Sequence, residues 1–274
     1  MISLLEGKLG LIGGGVMGEA LLSRLIVREI YQPLEIIVSE VKETRRDYLA
    51  QTYGVQVTAD NQAVARKSRA IMLAIKPQIF PEVAKVLNQA LTTSESKPLI
   101  ISILAGVKLS QLESAFEQLP VIRAMPNTPA TVGAGITALA MGSQAQESDR
   151  QIARKIFESV GEVVEVAETL MDAVTGLSGS GPAYVAMIVE ALADGGVKSG
   201  LPREIAMQLA LATIKGTVEL LQTTKMHPAE LKDRVTSPGG TTIAGVAQLE
   251  KGGLRSALIQ AVQAATARSL ELGK

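Results

Sequence analysis

The sequence predicts an α/β protein with a doubly wound N-terminal sheet and an all-helical C-terminal domain. Short apolar runs alternate with amphipathic segments as far as residue 166, and beyond residue 167 no convincing strand pattern is found. Buried runs that alternate with helices indicate a parallel sheet covered on both faces. A chain of 274 residues is also long enough for two domains. We therefore expect one domain at residues 1–166 and a second at 167–274.

The first domain is predicted from apolar runs of strand length and from segments with helical spacing of apolar residues. Strands are expected at residues 9–12, 35–39, 55–58, 70–75, 98–104, 121–123, 136–140 and 162–166. Helices are expected at residues 16–28, 44–53, 80–91, 109–119 and 144–160. The order of these segments is what predicts a doubly wound sheet.

The second domain is predicted to hold helices at residues 182–195, 202–223, 228–235 and 254–272, three of which open with Pro at a first-turn position. It is rich in Ala, Leu, Gly and Thr, and such a small domain with few aromatic residues has little else to bury. We expect it to form a homodimer. The residues expected to face a second subunit are Leu209, Ala210, Ala212, Thr213 and Gly216. The alternative is that these side chains fill the core of a monomer.

Composition excludes several classes of function. Lys plus Arg and Asp plus Glu number 27 each, so no basic excess indicates nucleic-acid binding. With no Cys and one His, we expect neither disulfides nor a metal site. No apolar stretch is long enough to span a bilayer. Residues 1–10 lack the features of a signal peptide, and a cytoplasmic location is expected.

The most informative motif is a G-x-G-x-x-G sequence formed by Gly13, Gly15 and Gly18, between the first strand and the first helix. In a Rossmann-type fold, the first glycine permits a tight turn, the second lets the backbone approach a pyrophosphate, and the third lets helix and strand pack closely. Glu40 ends the next strand, about twenty residues further on, where a ribose hydroxyl is bound in such folds. The motif therefore predicts a dinucleotide site; the alternative is a glycine-rich turn without a ligand.

Two further loops follow predicted strands. Lys76 and Pro77 come directly after a buried strand, at the carboxyl end where open α/β sheets bind ligands. Residues 123–129 contain two prolines and Asn127, which indicates a rigid turn that could form a wall against a nicotinamide ring. The alternatives are a surface lysine and a simple connection between strands.

Two loops in the helical half are rich in glycine and hydroxyl side chains. Residues 176–182 and 236–242 each precede a helix, and their free N–H groups could bind a small carboxylate without a cationic side chain. The alternative is helix capping by Ser and Thr. His227 precedes a helix without an obvious carboxylate neighbour and is assigned to a surface turn.

These motifs together resemble the pyrroline-5-carboxylate reductase family over nearly the whole chain. The resemblance is carried by residues 12–18, Lys76–Pro77, residues 123–129, 176–183 and 237–242. It implies reduction of 1-pyrroline-5-carboxylate to L-proline by NAD(P)H, the last step of proline biosynthesis. It also implies a homodimer formed through the helical domain, and further assembly into rings such as homodecamers.

The resemblance implies a role for individual residues as well. Cofactor binding is implied for Gly13, Gly15, Val16, Met17, Gly18, Ser39, Glu40, Arg45, Ala74, Lys76, Pro77, Ala105, Gly106 and Asn127. Substrate binding is implied for Met125, Val235, Ser237, Gly239, Gly240, Thr241 and Thr242. In the family, the hydroxyl that matches Thr242 lies near the imine nitrogen, so Thr242 is the candidate catalytic residue. Threonine is a poor general acid, and it could instead relay a proton or orient the substrate.

The choice between NADPH and NADH is open at this point. Glu40 suits the ribose diol of NADH and repels a 2′-phosphate, whereas Lys42, Arg45 and Arg46 follow closely and Ser39 could bond a phosphate. We favour NADPH, with Arg45 or Arg46 as the phosphate partner, and NADH as a possible second cofactor.

Two other functions compete with this interpretation. The β-hydroxyacid dehydrogenases share the two-domain layout and carry G-x-x-G-x-G-x-x-x-K, with Lys as acid or base; here the spacing begins at Gly176 but Val185 stands at the lysine position. Alcohol oxidation needs a proton acceptor there, and imine reduction does not. The second competing function is that of a non-catalytic regulatory protein that binds a nicotinamide cofactor. Only the intact substrate loop argues against it.

Overall fold

The computed structural model describes residues 7–92 and 97–273. The first six residues, on which the expectation of no signal peptide partly rests, lie outside the described residues. The chain divides into two compact units, one formed by Met1–Gly179 with Ala265–Lys274 and one by Ser180–Ala264. Across the two described segments, no helix combines the length and the hydropathy that crossing a membrane requires.

The first unit contains an eight-stranded sheet in the order β3-β2-β1-β4-β5-β6-β7-β8. Its strands are β1 (Lys8–Ile12), β2 (Ile36–Ser39), β3 (Gln56–Thr58), β4 (Ser68–Leu73), β5 (Leu99–Ser102), β6 (Val121–Met125), β7 (Gly135–Met141) and β8 (Gly161–Glu165). Strands β1 to β6 are parallel, which confirms the doubly wound sheet. Strand β7 runs antiparallel to β6 and parallel to β8. The short β6–β7 connection, which contains the 3₁₀ turn Thr128–Val132, leaves no room for a parallel crossover.

Helices cover both faces of this sheet. They are α1 (Val16–Val27), α2 (Glu43–Tyr53), α3 (Asn61–Lys67), α4 (Phe80–Leu91), α5 (Leu109–Ala115) and α6 (Glu147–Glu158). One cluster of buried side chains joins the sheet to α1 and α6, and a second joins it to α3, α4 and α5. Helix α3 was not predicted, although Asp60 marks its start by accepting a hydrogen bond from the Gln62 N–H at 2.8 Å. Helix α5 is shorter than expected because the backbone leaves the helical region at Phe116.

The segment after β8 belongs to the first unit rather than to the helical one. It forms a 3₁₀ turn (Glu168–Leu170), the short helix α7 (Met171–Val174) and a π-helical turn (Thr175–Gly179). Met171 is fully buried in the cluster that holds α4 and α5. The Ser269 hydroxyl, near the end of the chain, donates to the Asp172 carboxylate at 2.6 Å. These contacts place the division between compact units at 179/180, later than the predicted boundary at 166/167.

The second unit is helical throughout. It contains α8 (Gly181–Lys198), α9 (Arg203–Thr224), α10 (Pro228–Arg234), α11 (Thr241–Lys251) and the first part of α12 (Leu254–Leu272). Its buried apolar residues are three alanines, Ala193, Ala206 and Ala210. Ala210 therefore packs within its own chain, contrary to the expectation that it faces a second subunit, whereas Leu209 is 51% exposed.

Candidate functional site

A cleft of about 720 Å³ opens at the carboxyl ends of β1, β2 and β4. The strand order reverses here, since β2 lies on one side of β1 and β4 lies on the other. Open α/β sheets bind ligands at such a switch point, and the volume lies within the usual range for ligand sites. The predicted cofactor residues that line it are Gly13, Gly15, Val16, Ser39, Glu40, Arg45, Ala74 and Lys76.

The three glycines of the motif differ in their surroundings. Gly13 has φ +101°, and a Cβ there would lie 2.5 Å from the Ala74 carbonyl oxygen. A Cβ at Gly18 would collide with the Gly13 carbonyl oxygen, so this glycine permits close packing of helix and strand. A Cβ at Gly15, by contrast, meets nothing within 4 Å. Gly13 and Gly18 are thus required by the fold, and Gly15 faces the open space that a ligand would occupy.

The start of α1 is suited to binding an anion. The first N–H groups of a helix have no intrahelical acceptor, and the helix dipole adds partial positive charge there. Gly15 is the residue before α1, and no side chain caps the helix at that point. The open side of the glycine turn can therefore receive a phosphate group.

Glu40 and Arg45 both contact the middle glycine of the turn. The Gly14 N–H donates to Glu40 Oε2 at 3.1 Å, and the Lys42 N–H donates to Glu40 Oε1 at 3.0 Å. Arg45 Nε donates to the Gly14 carbonyl oxygen at 2.7 Å. The Arg45 guanidinium also forms an ion pair with Glu19. Both side chains that the sequence assigned to the ribose and the phosphate are therefore engaged with the protein.

Asn61 is a lining residue that the sequence analysis missed. Its Oδ1 accepts a hydrogen bond from the Ser39 hydroxyl at 2.5 Å. Since Asn61 lies at the edge of the cleft, its side-chain N–H₂ group is a potential donor to a ligand. The signal for it was the Asp-Asn pair after β3, because Asp60 predicts a helix start at the rim of the sheet.

Some predicted cofactor residues lie outside the cleft lining: Met17, Gly18, Pro77, Ala105, Gly106 and Asn127. Gly106 has φ +79° and approaches the backbone of Leu272 near the chain end. The Asn127 amide is engaged at both ends: it donates to the Ser178 carbonyl oxygen at 3.2 Å and accepts from the Ile136 N–H at 3.0 Å. A contact between these residues and a cofactor stays a prediction.

The segment that the sequence suggested as an anion-binding loop at residues 176–182 is helical instead. The Thr175 hydroxyl donates to the Met171 carbonyl oxygen at 2.9 Å, and the Ser178 hydroxyl donates to that of Val174 at 3.0 Å. The Thr175 and Ser178 hydroxyls thus donate to the backbone of the preceding turn. Met125 contacts this turn, since a Cβ at Gly179 would lie 2.7 Å from the Met125 Cε. A π-helical turn is rare and is often found at functional sites.

The second predicted loop, residues 236–242, forms a turn that leads into α11. The Gly240 N–H donates to the Ser237 carbonyl oxygen at 3.1 Å, and Gly239 has φ +68°. With Pro238 at its second position, this is the pattern of a type II turn. Thr241 and Thr242 open the helix, and no side chain caps it at Gly240. Its first N–H groups are therefore available to a carboxylate.

His227 occupies the surface turn that the sequence predicted. Its Nδ1 accepts a hydrogen bond from the Ala229 N–H at 3.2 Å, which caps α10. Within residues 7–92 and 97–273, no three His, Cys, Asp or Glu side chains are grouped as ligands for a metal ion.

Comparison with known proteins gives the same interpretation as the geometry. A family model described as pyrroline-5-carboxylate reductase dimerisation matches residues 168–272, and one described as NADP oxidoreductase coenzyme F420-dependent matches residues 8–106. The chain is 58% identical to a pyrroline-5-carboxylate reductase from Synechocystis sp., over 97% of this chain and 98% of that protein. This chain belongs to the pyrroline-5-carboxylate reductase family.

Solved structures of pyrroline-5-carboxylate reductases have the same fold. One from Coxiella burnetii has a TM-score of 0.90 at 35% identity and covers 98% of this chain and 99% of that one. One from Plasmodium falciparum, solved with NADP bound, has a TM-score of 0.89 at 32% identity and the same coverage of both chains. The resemblance and the fold class predicted from the sequence are confirmed.

Proposed function

We propose that this chain reduces 1-pyrroline-5-carboxylate to L-proline with a nicotinamide cofactor, the last step of proline biosynthesis. The observation that carries the proposal is the 58% identity to a named pyrroline-5-carboxylate reductase over 97% of the chain. The nucleotide cleft and the uncapped start of α11 support it, because the reaction needs one site for a dinucleotide and one for a small carboxylate.

The residues of the cleft fit a dinucleotide. The space beside Gly15 is open, so the backbone can approach a pyrophosphate, and the start of α1 offers N–H groups to it. Lys76, which follows β4, lines the same cleft and adds a positive charge. When bound, the reduced nicotinamide supplies the hydride, and the protein binds and orients it.

We propose NADPH as the preferred cofactor, with NADH as a second one. Lys42 lines the cleft, and Arg46 Nη1 donates to the carbonyl oxygens of Glu40 and Val41, each at 2.8 Å. These cations surround the end of β2, where the 2′-phosphate of a dinucleotide lies in this fold class. The relative from Plasmodium falciparum was solved with NADP, which supports this choice.

The substrate site that we propose is the start of α11. The N–H groups of Gly240, Thr241 and Thr242 would bind the substrate carboxylate. The Thr242 hydroxyl would contact the imine nitrogen and would orient it or relay a proton. A cyclic imine that is already protonated in solution needs no strong acid from the protein, which accords with the absence of a candidate His, Asp or Glu in residues 235–242. Val235 and Met125 are proposed as further substrate contacts.

Self-association through the helical region is part of the proposal. The matched family model is described as a dimerisation region, and the second unit exposes many large apolar side chains. We propose a homodimer that can assemble further into a homodecamer, and a cytoplasmic location. We also propose a division of roles between a dinucleotide-binding domain at 1–166 and a dimerisation and substrate domain at 167–274; this division follows the matched family model, which covers residues 168–272, and not the compact units.

The test is a direct assay of the purified full chain. Mixed with 1-pyrroline-5-carboxylate and NADPH, it is expected to oxidise NADPH and to produce an equal amount of L-proline. Binding of NADPH without turnover would favour the regulatory interpretation. Oxidation of a β-hydroxyacid with NADP⁺, and no reduction of the imine, would favour the dehydrogenase.

A further inference from the structure

Gly14, the middle residue of the glycine-rich turn, is held by side chains at both of its peptide groups. Glu40 accepts from its N–H at 3.1 Å, and Arg45 donates to its carbonyl oxygen at 2.7 Å. We propose that Glu40 and Arg45 are positioning residues that fix the pyrophosphate-binding turn, and that they are not ligands of the ribose and the 2′-phosphate. This inference rests on the proposed function only in requiring that the cleft binds a dinucleotide.

Packing holds the same residue from a third side. A Cβ at Gly14 would lie 2.5 Å from Leu49 Cδ1, and Leu49 on α2 is fully buried. The preceding Gly13 N–H donates to the Ser39 carbonyl oxygen at 2.8 Å. With Gly13 and Gly14 fixed to β2 and α2, the open face of Gly15 keeps one orientation before any ligand arrives. Preorganised donors bind more tightly because less freedom is lost on binding.

The Arg45 guanidinium is already neutralised. It pairs with Glu19 and lies over the Tyr48 ring, 4.9 Å from its centroid. Glu19 is itself fixed, because the Tyr48 hydroxyl donates to it at 3.0 Å and the Tyr53 hydroxyl at 2.7 Å. To bind a phosphate, Arg45 would have to break its contacts with Glu19 and Tyr48, or bind the phosphate while it is still paired with Glu19.

Arg46 provides the contrast. Its guanidinium contacts two backbone carbonyl oxygens, and among the ion pairs of the described residues it has no carboxylate partner. Its positive charge is therefore available to a phosphate at the end of β2. The two neighbouring arginines are expected to differ in what they do for the cofactor: Arg45 acts on any dinucleotide, and Arg46 acts on the one that carries a 2′-phosphate.

The experiment compares Arg45→Met with Arg46→Met, which remove the same charge one residue apart. The Kd values for NADPH and for NADH are measured by fluorescence titration of the full chain, with thermal unfolding as a check on folding. Arg45→Met is expected to raise both Kd values by about tenfold, as for one charge-assisted hydrogen bond. The ratio of the two should then change less than about threefold, while Arg46→Met raises the Kd for NADPH alone.

Two further variants keep the test decisive if Arg45→Met does not fold. Arg45→Lys keeps the charge but loses the Nε–H that donates to Gly14. It is expected to raise the Kd values for NADPH and NADH together. Glu40→Ala is expected to lose affinity for both cofactors. Glu40→Gln keeps an acceptor oxygen for the Gly14 N–H and is expected to retain most of that affinity.

Three results would overturn the inference. One is a rise in the Kd for NADPH alone in the Arg45 variants, which would make Arg45 a phosphate ligand. Another is a selective loss of NADH binding in Glu40→Ala, which would make Glu40 a ribose ligand. The third is unchanged Kd values with a lower Tm, which would make the contacts purely structural. If the unaltered chain bound neither cofactor, the proposed function would fail as well; if it reduces the imine normally, only the inference is at stake.

Discussion

The two compact units bury very different amounts of apolar side chain. The first packs Leu, Ile, Val and Phe side chains against both faces of its sheet, and many of them are fully buried. The second buries three alanines and leaves large apolar side chains exposed along its helices, among them Met187, Leu209, Leu211 and Val235. Because burial of apolar surface is the main stabilising contribution to folding, the first unit has a core of its own, whereas the second needs another surface to cover it.

The largest expected effect is on the association of the second unit. Leu209→Glu places a charge on an exposed apolar position of α9. If a symmetric dimer buries this position, two unpaired carboxylates enter the interface, at a cost of about 3–5 kcal/mol each. We expect the dissociation constant of the dimer to rise by more than about 10⁴, measured by analytical ultracentrifugation.

Gln208→Glu is the matched control for this substitution. It adds the same charge at the neighbouring position, which is polar and exposed, and it should leave the dimer intact. A Leu209→Glu chain that sediments as a dimer at nanomolar concentration would show that this face of α9 is not the interface.

A cavity-forming substitution in the first unit should lower stability by an amount that does not depend on dimer formation. Phe157 on α6 is fully buried against the sheet, and Phe157→Ala is expected to lower the free energy of unfolding by about 3–5 kcal/mol. The loss should not depend on protein concentration, because the unit's own core provides the contacts. Leu209→Ala is the comparison: its effect on urea unfolding should be small below the dissociation constant of the dimer and should grow to its full size as the protein concentration rises, because only the dimer makes the contact. Equal concentration dependence in both variants would contradict the contrast between the units.

An ion pair between Arg123 and Glu168 connects the segment after β8 to the sheet of the first unit. Arg123 on β6 is almost fully buried, and its Nη1 lies 3.2 Å from Glu168 Oε1. Glu168 also accepts from the Leu109 N–H at the start of α5. Glu168→Ala leaves a buried guanidinium without its partner and should cost about 3 kcal/mol of stability. Glu168→Gln keeps the acceptor for Leu109 and should cost less. Equal losses would assign the whole effect to the ion pair, and no loss in either variant would mean that this ion pair does not tie the segment to the first unit.

The difference between the units also explains what could be predicted from the sequence. In the first unit, the apolar runs fixed the strands and their parallel order because each run is buried by its own neighbours. The antiparallel β7 was not predicted, since its direction follows from the length of the β6–β7 connection and not from its apolar pattern. Helix α3 was missed because seven residues are too few for a clear helical period.

The roles of individual side chains in the cleft were harder to predict than the position of the cleft in the fold. The glycine spacing predicted a site at the end of β1, and the structure has a cleft there that Gly13 and Gly15 line. The engagement of Glu40 and Arg45 with Gly14 depends on contacts between residues 26 and 31 positions apart, which no local pattern encodes. In the second unit, helix positions were predictable but their partners were not, because much of the surface that should bury them is absent from a single chain.

A smaller effect is expected at Thr242, in the second unit. Thr242→Ala should lower kcat/KM for the imine by about tenfold to a hundredfold, or about 1–3 kcal/mol, if the hydroxyl makes one hydrogen bond at the reacting centre. Loss of a true proton donor would cost on the order of 10²–10⁴. The Kd for NADPH should not change, because the nucleotide cleft is lined by the first unit alone. Thr242→Ser should retain most of the activity. Full activity with a lower Tm in Thr242→Ala would make the residue only part of the helix start.

The smallest effect concerns the pH dependence of the first unit. Partial burial of Glu19 opposes its ionisation, but hydrogen bonds from Arg45, Tyr53 and Tyr48 outweigh it and lower the pKa of Glu19 below its usual 4.5. A carboxyl group whose pKa is lower in the folded chain stabilises the fold above its unfolded pKa, and this contribution is lost as the pH falls through the folded value. The unaltered chain should therefore lose stability more steeply below pH 4.5 than Glu19→Gln does. At pH 7 the variant should be the less stable of the two, and the two should converge as the pH falls through the lowered pKa of Glu19, as followed by urea unfolding across the range. Parallel curves at every pH would show that the Arg45–Glu19 pair adds nothing to the stability of the glycine-rich turn. The acid loss should also be independent of protein concentration, because Glu19 belongs to the unit with its own core.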